Sequence, residues 1–271
     1  MAERDYILGT HDAEIERLGL QHRLWRPMML DGWRRAAICE GQTVLDIGAG
    51  PGYAALDLAD IVGRGGRVLA LERSARFLDA LKERAAARGL TQLTTRELDL
   101  VKDELGIRNA DASWCRWVLC FVSDPRAVIK RIHAALRPGG VAVFHEYIDY
   151  RAWRFAPRMA LQEKFVDAVM SSWEAEGGRP DVGGDLPEWL TLAGFRVEST
   201  RLLTDIVPPG DPLWQWPRRY VAVNAARLVE LGKFSAAEAA ELDAAITAFE
   251  QRPHSRMVMP SVVEVIARRE S

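Results

Sequence analysis

Residues 44–60 read VLDIGAGPGYAALDLAD: an apolar run ending in a carboxylate, three glycines at alternate positions, then an amphipathic continuation. No other stretch constrains the chain as much. The first part has the length and composition of a buried strand and the last part has helical spacing. The glycines between them carry no Cβ to hold a ligand away from the backbone. In an open parallel sheet such a turn lies at the crevice where strand order reverses, so the predicted fold class is α/β with a ligand over the first strand.

Two details select the ligand. The dinucleotide fingerprint is Gly-x-Gly-x-x-Gly, whereas Gly48, Gly50 and Gly52 alternate here and Tyr53 stands where the third glycine belongs, which argues against a nicotinamide or flavin dinucleotide. Asp46, at the carboxyl end of the strand, would repel a pyrophosphate but suits a ligand whose near part is cationic. S-adenosylmethionine has that character, with a sulfonium and an ammonium and no phosphate. Glu72 ends a second strand, "RVLALE", where a carboxylate can accept the hydrogens of a ribose. Asp99, in "RELDL", is placed to accept from an adenine amino group, with the backbone of Leu100 serving a ring nitrogen.

Short apolar runs alternate with helical patterns from residue 42 onward, as a parallel sheet flanked by helices requires. Helices are predicted after the glycine turn, over 74–88, and over 125–136 behind Asp124 and Pro125. After a fifth strand, "VAVFHEYI", the alternation breaks. A helix is predicted over 153–176, then a loop, a short helix, one long strand "FRVESTRLLTDIV", two more helical segments, and a final strand "MVMPSVVEVIARRE".

The stretches VLDIGAGPG, LALE, ELDL, CRWVLCFVSDP and LRPGGVAVFHEY follow the order and spacing of class I S-adenosylmethionine-dependent methyltransferases, and the chain resembles that family over residues 42–147. The resemblance implies a Rossmann-like seven-stranded sheet whose last strand runs antiparallel between the fifth and sixth. It assigns Gly48 and Gly50 to the methionine part of the cofactor, Asp46 to ordering the turn, Glu72 to the ribose, and Asp99 and Leu100 to adenine. Arg116 lines the methionine moiety through its backbone. The family's common Leu-His-His ending of this stretch is Leu119, Cys120, Phe121 here, which leaves no base at that spot.

Residues 1–41 form a leader that resembles the one covering the cofactor in bacterial methyltransferases of quinones and natural products, with Tyr6 and Gln21 as its cofactor contacts. Ile15, Leu18, His22 and Trp25 share one helical face, with Thr10 as the expected N-cap and Asp12 and Glu14 favourable in the first turn. The methyltransferase domain then spans 42–271, with helical cap insertions at about 151–180 and 208–252. Trp153, Trp173, Trp214 and Trp216 fall in the cap, either as plain packing or as the wall of an apolar acceptor pocket.

Methyl transfer from a sulfonium depends on in-line placement, and a base is needed only if the acceptor must lose a proton. His145 and Tyr6 are the catalytic candidates, and strand alternation sends His145 and Tyr147 to one face and Glu146 to the other. The expected product is S-adenosylhomocysteine and the expected acceptor a small apolar or aromatic metabolite. A formal net charge of −2 gives no global footprint for nucleic acid or an anionic membrane. The start of the chain lacks a secretory core and no run approaches a membrane span, so a cytoplasmic protein is expected. Cys39, Cys115 and Cys120 have no metal-ligand spacing and read as buried reduced thiols. The competing classes are a non-catalytic S-adenosylmethionine-binding sensor or partner subunit and, more remotely, an NAD-dependent oxidoreductase.

Overall fold

The computed structural model describes residues 10–270. In chain order its elements are α1 (Asp12–Arg35), β1 (Thr43–Ile47), α2 (Tyr53–Val62), β2 (Arg67–Glu72), α3 (Ala75–Ala87), β3 (Leu93–Glu97), β4 (Ala110–Arg116), α4 (Pro125–Ala135), β5 (Leu136–Asp149), β6 (Arg154–Ala156), α5 (Ala160–Ala175), α6 (Leu186–Leu192), β7 (Phe195–Leu203), β8 (Ile206–Val207), α7 (Gln215–Glu230), α8 (Ala236–Glu250), β9 (Arg256–Val258) and β10 (Ser261–Arg269). The main sheet has seven strands in the order β3-β2-β1-β4-β5-β10-β7. Its first five strands are parallel, and β10 runs antiparallel to both β5 and β7. The expected Rossmann-like topology is therefore present.

β1 carries apolar residues on both of its faces, Val44 on one and Leu45 and Ile47 on the other, because both faces of this sheet are covered. Val44, Val68, Ala112, Trp114 and Val143 pack under α1, α2 and α3, while Leu45, Ile47, Leu69, Cys115 and Phe144 pack under α4 and α6. Each fully buried Leu, Ile or Val contributes roughly 1.5–3 kcal/mol by area, enough in sum to hold the helices on both faces. Helix starts follow local chemistry: Ser74 caps α3 through Phe77 N, and Asp124 caps α4 through Ala127 N with Pro125 at its first position.

Four local expectations are corrected. The N-cap of α1 is His11, whose Nδ1 accepts from Glu14 N at 3.2 Å, and not Thr10. The helix expected over 153–176 begins only at Ala160; before it, Phe155 is buried on β6 and Pro157 keeps the backbone out of the helix. The two long C-terminal strands are each broken. Pro260, with no N–H to donate, separates β9 from β10, and β7 parts from β8 at residues 204–205. The freed pieces assemble with β6 into a second, three-stranded antiparallel sheet, β6-β9-β8. Finally, Cys39 is exposed, whereas Cys115 and Cys120 are buried as expected. No helix of the described residues is long and apolar enough to cross a membrane.

Candidate active site

The glycine turn leaves β1 with Gly48 at φ +66° and Gly50 at φ +54°, conformations that a side chain disfavours. The two positions differ in what surrounds them. A Cβ on Gly48 would meet Val118 Cγ2 at 2.4 Å, so this glycine lets the loop after β4 approach. A Cβ on Gly50 would meet nothing within 4 Å. Open space over a left-handed backbone, beside Asp46 and Glu72, is the cradle a ligand needs.

Glu72, at the end of β2, faces this space. Its Oε2 accepts from Gly50 N at 2.9 Å and its Oε1 from Arg73 N at 2.8 Å and Ser74 N at 3.0 Å. Burial raises its carboxyl above the usual range against these three bonds. Asp46 is buried at 2 % exposure. Its Oδ2 has no hydrogen-bond partner among the described residues. Burial pushes the carboxyl up to about 7 and the nearby Arg116 guanidinium works in the opposite direction. A buried acid with an idle oxygen fits a cationic group arriving from outside.

Asp99 stands at the rim beyond β3. Its Oδ1 accepts from Val101 N at 2.9 Å and its Oδ2 pairs with Lys102 at 3.0 Å, while Leu100 is buried beside it. Gly48, Gly50, Glu72, Asp99 and Arg116 are all partly exposed and stand at or just beyond the carboxyl ends of four neighbouring strands, β3, β2, β1 and β4.

The roof is α1. Tyr53, at the start of α2, donates from its hydroxyl to Ile15 O at 3.1 Å, and Gly19 sits so close that a Cβ there would lie 2.7 Å from the Tyr53 hydroxyl. His22 Nε2 pairs with Asp57 Oδ2 at 3.0 Å, and Arg26 Nε donates to the same oxygen at 2.7 Å. The Arg116 side chain rises beneath this latch, with Nη2 3.4 Å from His22 Nδ1 and its guanidinium 5.1 Å from the centre of the Trp117 ring.

Beside Arg116 lies a nest of rings. Trp117 stacks on Tyr147 at 5.6 Å and on Trp216 at 5.3 Å, and Trp25 meets both indoles edge-on at 5.1 and 4.8 Å. Trp117 itself has φ +51°, and the loop that carries it is held by Glu146, whose Oε1 accepts from Val118 N at 2.9 Å and Leu119 N at 2.8 Å. Burial raises the Glu146 carboxyl to about 7. Trp153, Trp173, Trp214 and Trp216 are all buried, each against other aromatic rings: Trp153 on Tyr150 and Phe165, Trp173 on Phe121 and Tyr147, Trp214 on Phe155, and Trp216 on Trp117.

Gln21 joins the edge of this nest. Its Oε1 accepts from Arg17 Nη1 at 2.9 Å and from Trp216 Nε1 at 2.8 Å, and Arg17 makes two 2.7 Å bonds to the buried Glu14. His145 lies under the other half of α1. It is fully buried, with Nε2 3.0 Å from Glu264 Oε2, while Glu264 also pairs with Arg35. Burial lowers the His145 pKa. Its nearest ring is Trp114 at 4.8 Å, and Tyr6 lies outside the described residues.

Sequence reasoning missed the Glu14–Arg17 pair, whose spacing along a helix ordinarily reads as a solvated face. It also missed Glu264, which nothing local joins to His145. Glu146 was assigned a strand face but not its hold on the loop after β4.

A family model described as "Methyltransferase domain" matches residues 45–144. The 2-phytyl-1,4-naphtoquinone methyltransferase of a Nostoc species is 29% identical over 172 residues, covering 61% of this chain and 71% of the relative. The tRNA 5-carboxymethoxyuridine methyltransferase of Escherichia coli is 35% identical over 160 residues, 57% of this chain and 59% of the relative. The fold is shared with Phospholethanolamine N-methyltransferase 2 of Haemonchus contortus, solved with phosphomonomethylethanolamine and S-adenosylhomocysteine: TM-score 0.56, 18% identity, 91% of this chain and 53% of that one.

Proposed function

We propose, for a chain that belongs to the class I S-adenosylmethionine-dependent methyltransferases, that the methyl group goes to a small, largely apolar or aromatic metabolite by in-line displacement. The observation that carries the acceptor class is the packing of Trp117, Tyr147 and Trp216 directly beside Arg116 and the glycine turn, under a roof made by α1 and α7. Three nearly parallel rings offer stacking area to a planar molecule. The formal net charge of −2 offers a polyanionic nucleic acid no global attraction. The name of the Nostoc relative, a quinone methyltransferase, supports a planar acceptor, and that of the Escherichia coli relative sets RNA as the alternative to test.

The bound cofactor supplies an activated methyl on sulfur, so the protein's work is placement and exclusion of water. Gly48 and Gly50 admit the methionine part, Asp46 faces its ammonium, Glu72 receives the ribose hydroxyls, and Asp99 with Leu100 borders the adenine. Gln21 fixes the leader over the site by tying α1 to Trp216. For an acceptor that must lose a proton, His145 is the assigned base: Glu264 engages Nε2 at 3.0 Å, and Nδ1, unpartnered among the described residues, keeps its lone pair. Tyr6 is assigned a cofactor contact from the resemblance alone, and a catalytic role from its place on the leader.

The test is transfer of labelled methyl into a metabolite extract and, separately, into bulk RNA and protein from the same cells. Label in the solvent-extractable fraction is expected. Label confined to RNA or protein overturns the acceptor class, and label in no fraction overturns catalysis in favour of a binding protein.

A further inference from the structure

Arg116 is the anomaly of the site. Its guanidinium lies between α1 and the sheet, yet no carboxylate touches it among the described residues. Its polar contacts are Met29 Sδ at 3.9 Å from Nη1 and His22 Nδ1 at 3.4 Å from Nη2, both weak. The aromatic faces of Trp114 and Trp117 flank it at 5.7 and 5.1 Å. Asp57 of α2, whose charge reaches Arg116, is already engaged by His22 and Arg26. A guanidinium in such a place normally finds an anion with forked, charge-assisted bonds, and here those donors are left over.

Asp46 is the mirror image: a buried carboxylate with an idle Oδ2. The two side chains stand on neighbouring strands and on one face, because Asp46 pairs with Trp114 in the β1–β4 register and Arg116 follows two residues on. They do not form an ion pair with each other. One unsatisfied anion and one unsatisfied cation, side by side next to the open space over Gly50, match an α-amino acid head group in charge and in order.

We propose that the Arg116 guanidinium receives the α-carboxylate of the cofactor's methionine moiety while Asp46 receives its ammonium, so that β1 and β4 together recognise a zwitterion. This rests on the cofactor reading above and adds a side-chain role where the family resemblance assigns only backbone. It also explains the position of His22: a neutral imidazole beside Arg116 leaves the guanidinium unpaired until ligand arrives, whereas an acid there would quench it. Met29 and the two indoles keep water from competing for the same donors.

The experiment is calorimetry of the full chain with three ligands: S-adenosylhomocysteine, its decarboxylated analogue, and 5′-methylthioadenosine, which lacks the whole amino-acid head. Wild type is expected to lose roughly tenfold to a hundredfold in affinity when the carboxylate is removed, the size of a charge-assisted bond. In Arg116→Gln that difference is expected to collapse, with 5′-methylthioadenosine binding unchanged, and Arg116→Lys should recover part of it. Binding of 5′-methylthioadenosine also reports that the variants are folded. The proposal is overturned if wild type binds the decarboxylated analogue as tightly as S-adenosylhomocysteine, or if Arg116→Gln weakens all three ligands by the same factor. Failure of wild type to bind any of the three instead overturns the cofactor reading, so the two failures are separable.

Discussion

Cofactor affinity is expected to fall below neutral pH because ligand and proton compete for Asp46. In the ligand-free chain burial holds this carboxyl at about 7, with Arg116 of β4 pulling it down and Glu72 of β2 pushing it up. The sign follows from linkage: the folded group binds its proton more tightly than an ordinary carboxyl near 3.8, so the ligand-free chain loses stability as pH rises through that window, and an arriving ammonium returns it by making the ionised form favourable. At about pH 6 roughly nine-tenths of Asp46 carries a proton that binding must expel, and at about pH 7.5 roughly a quarter does. The ratio of these penalties makes S-adenosylhomocysteine bind about eightfold more weakly at the lower pH, roughly 1.2 kcal/mol. An ordinary α-amino group, with a pKa of about 7.7–8.0, is almost fully protonated at about pH 6 and loses roughly a quarter to two-fifths of its protons by about pH 7.5, which offsets the ratio by less than a factor of about two. Calorimetry at both pH values in buffers of different ionisation enthalpy reads both the affinity and the protons released. Asp46→Asn should bind more weakly throughout and with a flatter profile. A flat wild-type profile, or an undiminished slope in Asp46→Asn, would refute the reasoning.

Glu72→Ala removes the acceptor for the ribose and leaves Gly50 N, Arg73 N and Ser74 N without their partner, and a loss of about 1–3 kcal/mol in cofactor binding is expected by calorimetry. Glu264→Ala strips the shared partner from Arg35 and His145 and should destabilise the fold by roughly 3–5 kcal/mol in urea unfolding, the cost of breaking a buried pair; a change below about 1 kcal/mol would show that the pair is solvated. The half of α1 over residues 12–25 docks through polar side chains, Glu14, Arg17, Gln21 and His22, so its amide exchange should slow markedly when S-adenosylhomocysteine binds beneath it. Equal protection with and without ligand would make α1 an ordinary packing helix.

The placement of the glycine turn and of the strand-end acids was legible in the sequence because its determinants are local. Alternating glycines need only their own φ angles, and Asp46, Glu72 and Asp99 each follow from lying at or just beyond a strand end. Ser74 and Asp124 announce their helices for the same reason. The cap was read less well, and particular residues show why. Strands β6, β8 and β9 are too short for a period of two to register, and each exists only because the others pair with it. Pro260 did carry a readable signal, the missing N–H that ends a ladder, but the apolar residues on both sides disguised it as one strand. Glu264 and His145 are 119 residues apart and meet only because β10 inserts antiparallel beside β5. Arg17 and Glu14 were hidden by their charge, since a helix pair of this spacing is normally solvated and here α7 covers it.

The most direct measurement is calorimetric titration of the full wild-type chain with S-adenosylmethionine and with S-adenosylhomocysteine at neutral pH. The arrangement of Asp46, Gly50, Glu72, Asp99 and Arg116 predicts one saturable site for each compound, with dissociation constants on the order of micromolar, or about −8 kcal/mol. Absence of heat with both compounds, in protein whose circular dichroism shows the mixed α/β fold, would contradict the account at its foundation.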